Sequence, residues 1–489
     1  MANNYLSTKV IQSLIDESIG YALKKEEYEV KEIPSIQLLT KDRFDVALKL
    51  AFLCLKEKNS RLAKEIYKDH IAAFSSGTFS EPNNDQKNTI QDYFISFEDV
   101  LKQIKEQGFD PNTSVIPTSL DGQILNGAHR LSAAIYCNKK VATIKTEQVL
   151  KSYNFQFFKD RGLESWQLDF GARVLIKNLL NSYIAIVWPT AKGKNNEISK
   201  LLKDVYYFKE ISLTEEGASN LIRIVYRGEK WLGDEQDEYP GAISKMVECF
   251  KNKGKVRAFL FTSESLDNVI NIKDKIRSLF SVGKHSIHIT DTHKETIEVG
   301  QTIFNDNSLH HLNYSRPYRY QSFIYQNEYI SNQLALNQVS ADELIIDSSS
   351  TLAAYGLRES RDIDFLSLEI DIENGKMENH NNSAHYYQIP IEDLIHDPRN
   401  HFFFRGIKYI NPGNLKRFKI NRGEQKDNMD LELLNKIEDS SNAISLTTIK
   451  VRLYFSFLKI KVRGIKSLII VLKKIGLYKG VRKLYHRLK

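Results

Sequence analysis

The stretch from Asp347 to Phe365 constrains this chain more than any other. Leu344-Ile345-Ile346 reads as a short buried strand, and Ser348, Ser349 and Ser350 as a small polar turn. Thr351 to Leu357 supplies one or two helical turns, and Asp362-Ile-Asp364-Phe-Leu-Ser-Leu-Glu-Ile370 alternates like a second strand. Side chains two apart on a strand share one face, so Asp362 and Asp364 project together. Two neighbouring carboxylates repel, and a divalent cation relieves the repulsion. Such a pair holds Mg²⁺ (or Mn²⁺) against nucleotide phosphates and aligns an in-line displacement. The serine turn at a helix start offers N–H groups and hydroxyls to a phosphate.

This order resembles the nucleotidyltransferase superfamily of DNA polymerase β, in which a Gly-Ser turn precedes an Asp-x-Asp strand by about this spacing. The resemblance implies a phosphate-turn role for Ser348 and Ser349, with Ser350 beside them, and a metal-ligand role for Asp362 and Asp364. A serine stands where the family has the glycine of the pair, and no third carboxylate is identifiable on a later strand. The plain alternative is a strand–turn–helix–strand whose acids are solvated or paired with Arg358 and Arg361. A helix expected from Tyr329 to Ser340 leads into the unit, which spans about 325–440. Beyond it one helix is expected from near Pro412 through Leu434. By the same resemblance Lys419, Arg422 and Lys426 are triphosphate contacts; exposed i,i+4 pairing with Glu424, Asp427 and Asp430 explains them equally.

A second distinctive stretch, Ser114-Val-Ile-Pro-Thr-Ser-Leu-Asp-Gly-Gln-Ile-Leu-Asn126-Gly127-Ala-His129-Arg130, reads as strand, Asp-Gly turn, short strand and helix start. A strand over Lys140–Lys145 follows. Glycine at a helix start lets a phosphate approach the first N–H groups, and Arg130 adds a fixed positive fork. His129 is a candidate base or phosphate ligand. The stretch resembles the ParB/sulfiredoxin-like superfamily, whose Gly-x-x-Arg helix start binds nucleotide phosphates. Ala128 stands where sulfiredoxins carry their catalytic cysteine, which argues against that chemistry and leaves nucleotide binding, with phosphotransfer as its enzymatic form. The alternative is an arginine that caps a helix and pairs with a nearby acid.

At 489 residues the chain is too long for one small core. The expected fold class is multidomain α/β (α+β), divided as a helical segment 1–84, a ParB/sulfiredoxin-like unit 85–160, a central α/β domain 161–324, a nucleotidyltransferase-like domain 325–440 and a basic amphipathic tail 441–489. In the central domain, Tyr183–Pro189, Asn220–Tyr226 and Val256–Phe261 read as strands. His288, Asp291 and His293 form a third cluster at a strand end and helix start, where a metal, phosphoryl or sugar ligand would sit. Capping by Asp291 or Thr292 with Glu295 explains the acids without catalysis.

The three cysteines, Cys54, Cys137 and Cys249, are widely spaced, which disfavours a disulfide framework and points to a reducing cytoplasm. No 18-residue apolar run occurs. The net charge of +8 is concentrated in the tail: 13 of the 69 Lys and Arg lie in Lys450–Lys489, which has no acid, leaving 56 against all 61 acids elsewhere. The body is therefore mildly acidic, which disfavours nucleic acid as a partner. Tail positions such as Phe457, Ile465, Leu468 and Ile475 give an apolar stripe flanked by lysines, the pattern of a helix lying on an anionic bilayer. Together these features predict a cytoplasmic transferase, peripheral at the inner face of the plasma membrane. It would move phosphoryl or nucleotidyl groups from a nucleoside triphosphate to a sugar or lipid-linked saccharide in bacterial surface polysaccharide biosynthesis. A glycosyltransferase using a nucleotide sugar, and a non-catalytic ParB-like nucleotide- or DNA-binding regulator, are the alternatives.

Overall fold

Apolar residues at three- and four-residue spacing build the first helices. The computed structural model describes residues 5–80, 87–149, 152–252, 254–370, 372, 375–442 and some positions between 457 and 481. A ribbon of β1 (Tyr5–Ser7) and β2 (Glu27–Glu29) precedes β3 (Lys31–Pro34). The helix Phe44–Leu55 follows and is buried nearly all round, as expected of a helix with apolar residues on every side. It is covered by the helices Ser60–Ser75, Ala128–Tyr136 and Ser165–Asn178. The helix Ile90–Gln107 opens on a capping box between Thr89 and Asp92. β4 (Ile116–Thr118) and β5 (Lys140–Lys145) complete a three-stranded sheet of order β3-β5-β4, with β4 parallel and β3 antiparallel to β5.

The central sheet comprises β6 (Ser182–Val187), β7 (Val205–Ile211), β8 (Val256–Thr262) and β9 (Ile287–Ile289), in the order β7-β8-β6-β9 with every pairing antiparallel. Asn220–Tyr226 is not a strand but most of the helix Glu215–Val225. Its β-branched residues suggested a strand, but Ala218, Leu221, Ile222 and Val225 are buried at helical spacing, and the Thr214 side chain caps the start. Packing and capping override propensity here.

The last sheet, of β10 (Leu344–Ile346), β11 (Ile363–Ser367), β12 (Met377–Asn379), β13 (His401–Phe404) and β14 (Ile407–Ile410), has the order β12-β11-β10-β14-β13. β10 runs antiparallel to β11 and parallel to β14, and β11 runs parallel to β12. The helix leading in is Gln321–Leu336. The single helix expected after Pro412 is two, Pro412–Arg422 and Asp427–Asn442, broken where Gly423 adopts φ 66°. A left-handed glycine ends a helix because no other residue takes that conformation without cost. The chain is thus mixed α/β with three principal sheets of mixed or antiparallel pairing.

Much of the tail lies outside the described residues, Tyr454 and Phe455 included. Residues 467–474 are helical, with Leu468, Ile470 and Val471 exposed. Among the described residues no helix is long and apolar enough to cross a membrane.

Candidate functional site

Strand pairing assembles a row of acids at the end of β10. The β10–β11 ladder sets Ile346 opposite Phe365, and the Asp347 amide extends it by donating to the Asp364 carbonyl at 2.8 Å. Residues opposed on an antiparallel pair share a face, so the carboxylates of Asp347 and Asp364 are neighbours. β12 places Glu378 in register with Asp364 on the other side. Asp362 precedes β11 by one residue and is exposed, whereas Asp364 is partly buried and Asp347 fully so. Burial, reinforced by the charges of Asp347 and Asp362, pushes the Asp364 carboxyl above its usual range, against the pull of His380 and a Ser348 hydrogen bond.

Asp347 is saturated by local partners. It accepts from its neighbour's amide at Ser348, from the Tyr387 hydroxyl, and from His380 Nδ1 at 3.2 Å. The hydrogen bond to Asp347 holds His380 above its ordinary value, despite burial and the nearby Arg422. Asp347 and His380, with Tyr387, are therefore a supporting set behind Asp364 that sequence reasoning missed; His380 is 33 residues from Asp347 in the chain.

The turn is made by a serine in a glycine's conformation. Ser348 has φ 56° and ψ −132°, a region that costs an L-residue of order 1–3 kcal/mol. Ser349 Oγ lies 2.6 Å from Ser360 Oγ, and Ser360 donates to the Asp362 carbonyl at 2.8 Å. Ser350 is buried and donates to the same carbonyl at 3.4 Å. These hydroxyls tie the short helix Ser349–Ala354 to the start of β11 and fix where Asp362 and Asp364 emerge.

The acids fit a hard divalent cation in one specific sense. Among the described residues no group of three or more His, Cys, Asp or Glu is arranged to hold a metal by itself. Mg²⁺, however, is commonly held by one or two carboxylates, with phosphate oxygens and water completing its shell. Asp362 and Asp364 are the candidates for such a pair, with Asp364 crowded by like charge. Arg358 does not neutralise them; its guanidinium is bidentate to Asp430 at 2.7 and 2.9 Å.

The three downstream cations divide. Lys419 is 3% exposed, with its ammonium 2.9 Å from Asp427 and 2.8 Å from Asp430. Arg422 also binds Asp427, with Nε at 2.9 Å. Both join the helices Pro412–Arg422 and Asp427–Asn442 through a charge cluster that is largely buried, where exposed pairing was the alternative anticipated. Lys426 is exposed and pairs with Glu424 at 2.8 Å.

The other expected sites lie elsewhere. Gly127 adopts φ 89° ahead of the helix Ala128–Tyr136. Arg130 folds back so closely that a Cβ on Gly127 would sit 3.0 Å from its Nη2. Arg130 donates to Ser114 Oγ and has no carboxylate partner among the described residues. His129 points into aromatic packing, its Nε2 2.7 Å from the Tyr67 hydroxyl and its ring 4.8 Å from Phe97; burial holds it well below its ordinary value.

His288 and Asp291 line a cavity of about 970 Å³ with Tyr226, Trp231 and Lys245. His288 Nε2 is 2.9 Å from Glu295, and Asp291 is 2.9 Å from Lys273. The helix cap is Thr292, whose hydroxyl accepts from the Glu295 amide at 3.1 Å. His293 does not line the cavity, and its Nδ1 is buried without a hydrogen-bond partner. Compared with family models, curated proteins and solved structures, the chain matches none of them.

Proposed function

We propose that the chain is an Mg²⁺-dependent transferase of phosphoryl or nucleotidyl groups, working at the carboxylate face of β10 and β11. The observation that carries this reading is the crowding of Asp364 by Asp347 and Asp362 beside Ser348, whose strained backbone holds the turn against them. Strain and like-charge crowding are retained where function needs them. Asp362 and Asp364 would hold the metal, which supplies charge neutralisation on the transferring group when bound. Ser348 and Ser349 face the nucleotide phosphates in this reading. Asp347 orients His380 and shifts it toward its charged form, which favours a positive charge beside the phosphates. Lys426 would exchange its exposed pair with Glu424 for a triphosphate, whereas Lys419 and Arg422 brace the wall of the site.

Arg130 and Gly127 offer a second place for a nucleotide or phosphorylated substrate. The basic tail supports an acceptor at an anionic membrane surface, a sugar or lipid-linked saccharide. A second reading, glycosyl transfer from a nucleotide sugar, is favoured by the cavity beside Trp231, which is 45% exposed and packs on Tyr226 at 5.0 Å. Exposed aromatic faces in a polar cleft suit sugar rings.

The test is thermal shift with ATP, CTP, GTP, UTP and UDP-sugars, each with Mg²⁺, on wild type and on Asp362→Ala/Asp364→Ala. A Mg²⁺-dependent shift lost in the double variant is expected, and the preferred nucleotide separates the two transferase readings. A full shift retained by the variant removes the metal from these aspartates.

A further inference from the structure

A separate cavity of about 390 Å³ opens where the helices Phe44–Leu55, Ser165–Asn178 and His293–Ile303 meet β13 and β14. Arg173 lines it, with its guanidinium between two rings, 5.1 Å from the centre of Phe170 and 5.3 Å from that of Phe403. Its Nε and Nη2 are buried without hydrogen-bond partners, and no carboxylate among the described residues pairs with it. Two more lining groups, His396 Nε2 and Gln301 Oε1, are also buried and unpartnered. Buried polar atoms without partners are rare, and four on three side chains around one cavity call for an explanation.

Four cations line the cavity: Lys58 pairs with Glu343, and Lys177 and Lys408 share Asp342, the single lining carboxylate, which leaves Arg173 without an ion pair among the described residues. Lys408 is buried and donates to the carbonyls of Asp342 and Ile395 at 2.7 and 2.9 Å. Burial draws Arg173 down to about 10 and Lys408 to about 8, against the opposing pull of Asp342 on both and of Asp169 on Arg173. Between these charges the wall is apolar: Leu55, Val174, Ile297 and the ring of Phe403.

From this geometry we infer that the cavity binds a small amphipathic anion, its carboxylate or phosphate head on Arg173 and its apolar body against Val174 and Ile297. A buried guanidinium without an anion is costly, and a charge-assisted fork to a carboxylate or phosphate is its usual satisfaction. The apolar wall selects against bare inorganic ions. The inference is independent of the transferase reading, since none of these residues belongs to the Asp364 face.

The probe is 1-anilinonaphthalene-8-sulfonate, an aromatic anion, titrated by fluorescence into the full chain, with decanoate and phenyl phosphate as competitors. Saturable binding to one site is expected, weakened about tenfold or more in Arg173→Gln with unchanged circular dichroism, the loss of one charge-assisted contact. Displacement by decanoate assigns a carboxylate on an aliphatic chain, and displacement by phenyl phosphate an aryl phosphate. Binding undiminished in Arg173→Gln, or displacement by neither competitor, overturns the inference. Should Arg173→Gln not fold, Cys54, which also lines the cavity, gives an independent readout. In a Cys137→Ser background its reaction with a thiol reagent slows when decanoate or phenyl phosphate is bound; an unchanged rate with both refutes the site.

Discussion

Asp347 stands directly across the β10–β11 ladder from Asp364, its amide donating to the Asp364 carbonyl at 2.8 Å, so two acids share one face of the sheet. Asp347 has three hydrogen-bond partners, whereas Asp364 has the Ser348 hydroxyl and two neighbouring acids. Replacing Asp364 by Asn removes the like-charge repulsion without changing shape. In the absence of metal, Asp364→Asn is therefore expected to melt higher than wild type by up to a few degrees, the scale of a 1 kcal/mol change in a chain of this size. With Mg²⁺ and nucleotide the order reverses, because only the wild type gains bound cation. Paired melting curves with and without Mg²⁺ measure this, and an unchanged order in both conditions refutes it.

Ser348 separates strain from chemistry. Glycine adopts φ 56° freely, so Ser348→Gly relieves the backbone, while Ser348→Ala keeps the Cβ and loses only the hydroxyl bonded to Asp364. The glycine variant is expected to be more stable than the alanine variant by about 1 kcal/mol in urea unfolding. Equal stabilities would mean the turn is not strained.

How much of this was legible depends on what is local. The apolar triplet Leu344–Ile346, the serine turn and the alternation after Asp362 are signals within a few residues, and they foretold the strand–turn–helix–strand that the fold contains. Asp347 escaped notice because only register reveals what it faces. His380 and Tyr387 are brought to it by β12 and the turn after it, from 33 and 40 residues away. Asn220–Tyr226 misled because its branched residues look like a strand until the buried positions are counted at helical spacing. Lys419 resembled a surface lysine because its burial is created by a second helix beyond Gly423.

That burial gives Lys419 and Lys426 opposite expectations. Lys419→Met leaves Asp427 and Asp430, 1% and 4% exposed, with only Arg422 and Arg358 as counter-charges among the described residues. The cost is expected to be about 2–3 kcal/mol, that of removing a charged partner from buried acceptors. Lys426→Ala, at an exposed pair with Glu424, stays within about 0.5 kcal/mol of wild type. If Lys426 reaches nucleotide phosphates, its loss instead weakens Mg²⁺–nucleotide binding, which titration of the folded variant measures.

The tail's exposed Leu468, Ile470, Val471 and Ile475 stand close to Lys466, Lys473 and Lys474 in the chain. Each basic residue near an anionic surface contributes about 1 kcal/mol. The chain is expected to sediment with phosphatidylserine-containing vesicles, to be released by high salt, and to lose this on removal of residues 446–489. Equal sedimentation with neutral phosphatidylcholine vesicles would exclude the electrostatic part of the argument.

Acid is expected to unfold the chain through its buried histidines. Burial holds His311 down at about 3 and His396 at about 4, and His70, His129 and His401 well below their ordinary value near 6.5. Between pH 6.5 and those depressed values the unfolded chain takes up protons that the folded chain refuses. Stability is therefore fully present above pH 6.5 and falls as pH drops, by about 1.4 kcal/mol per unit for each such histidine. Carboxylates held low by cations, such as Asp45 beside Arg43 and Lys49, lose their contribution only below about pH 4, so above that pH the histidine effect is read separately. Urea unfolding at pH 7, 6 and 5 gives the slope. His311→Gln keeps a donor to the Ala354 carbonyl, 2.9 Å from Nε2, and cannot titrate, so it is expected to lower proton uptake on unfolding by about one at pH 5. Stability unchanged from pH 7 to 5 would mean these histidines are protonated in the folded chain.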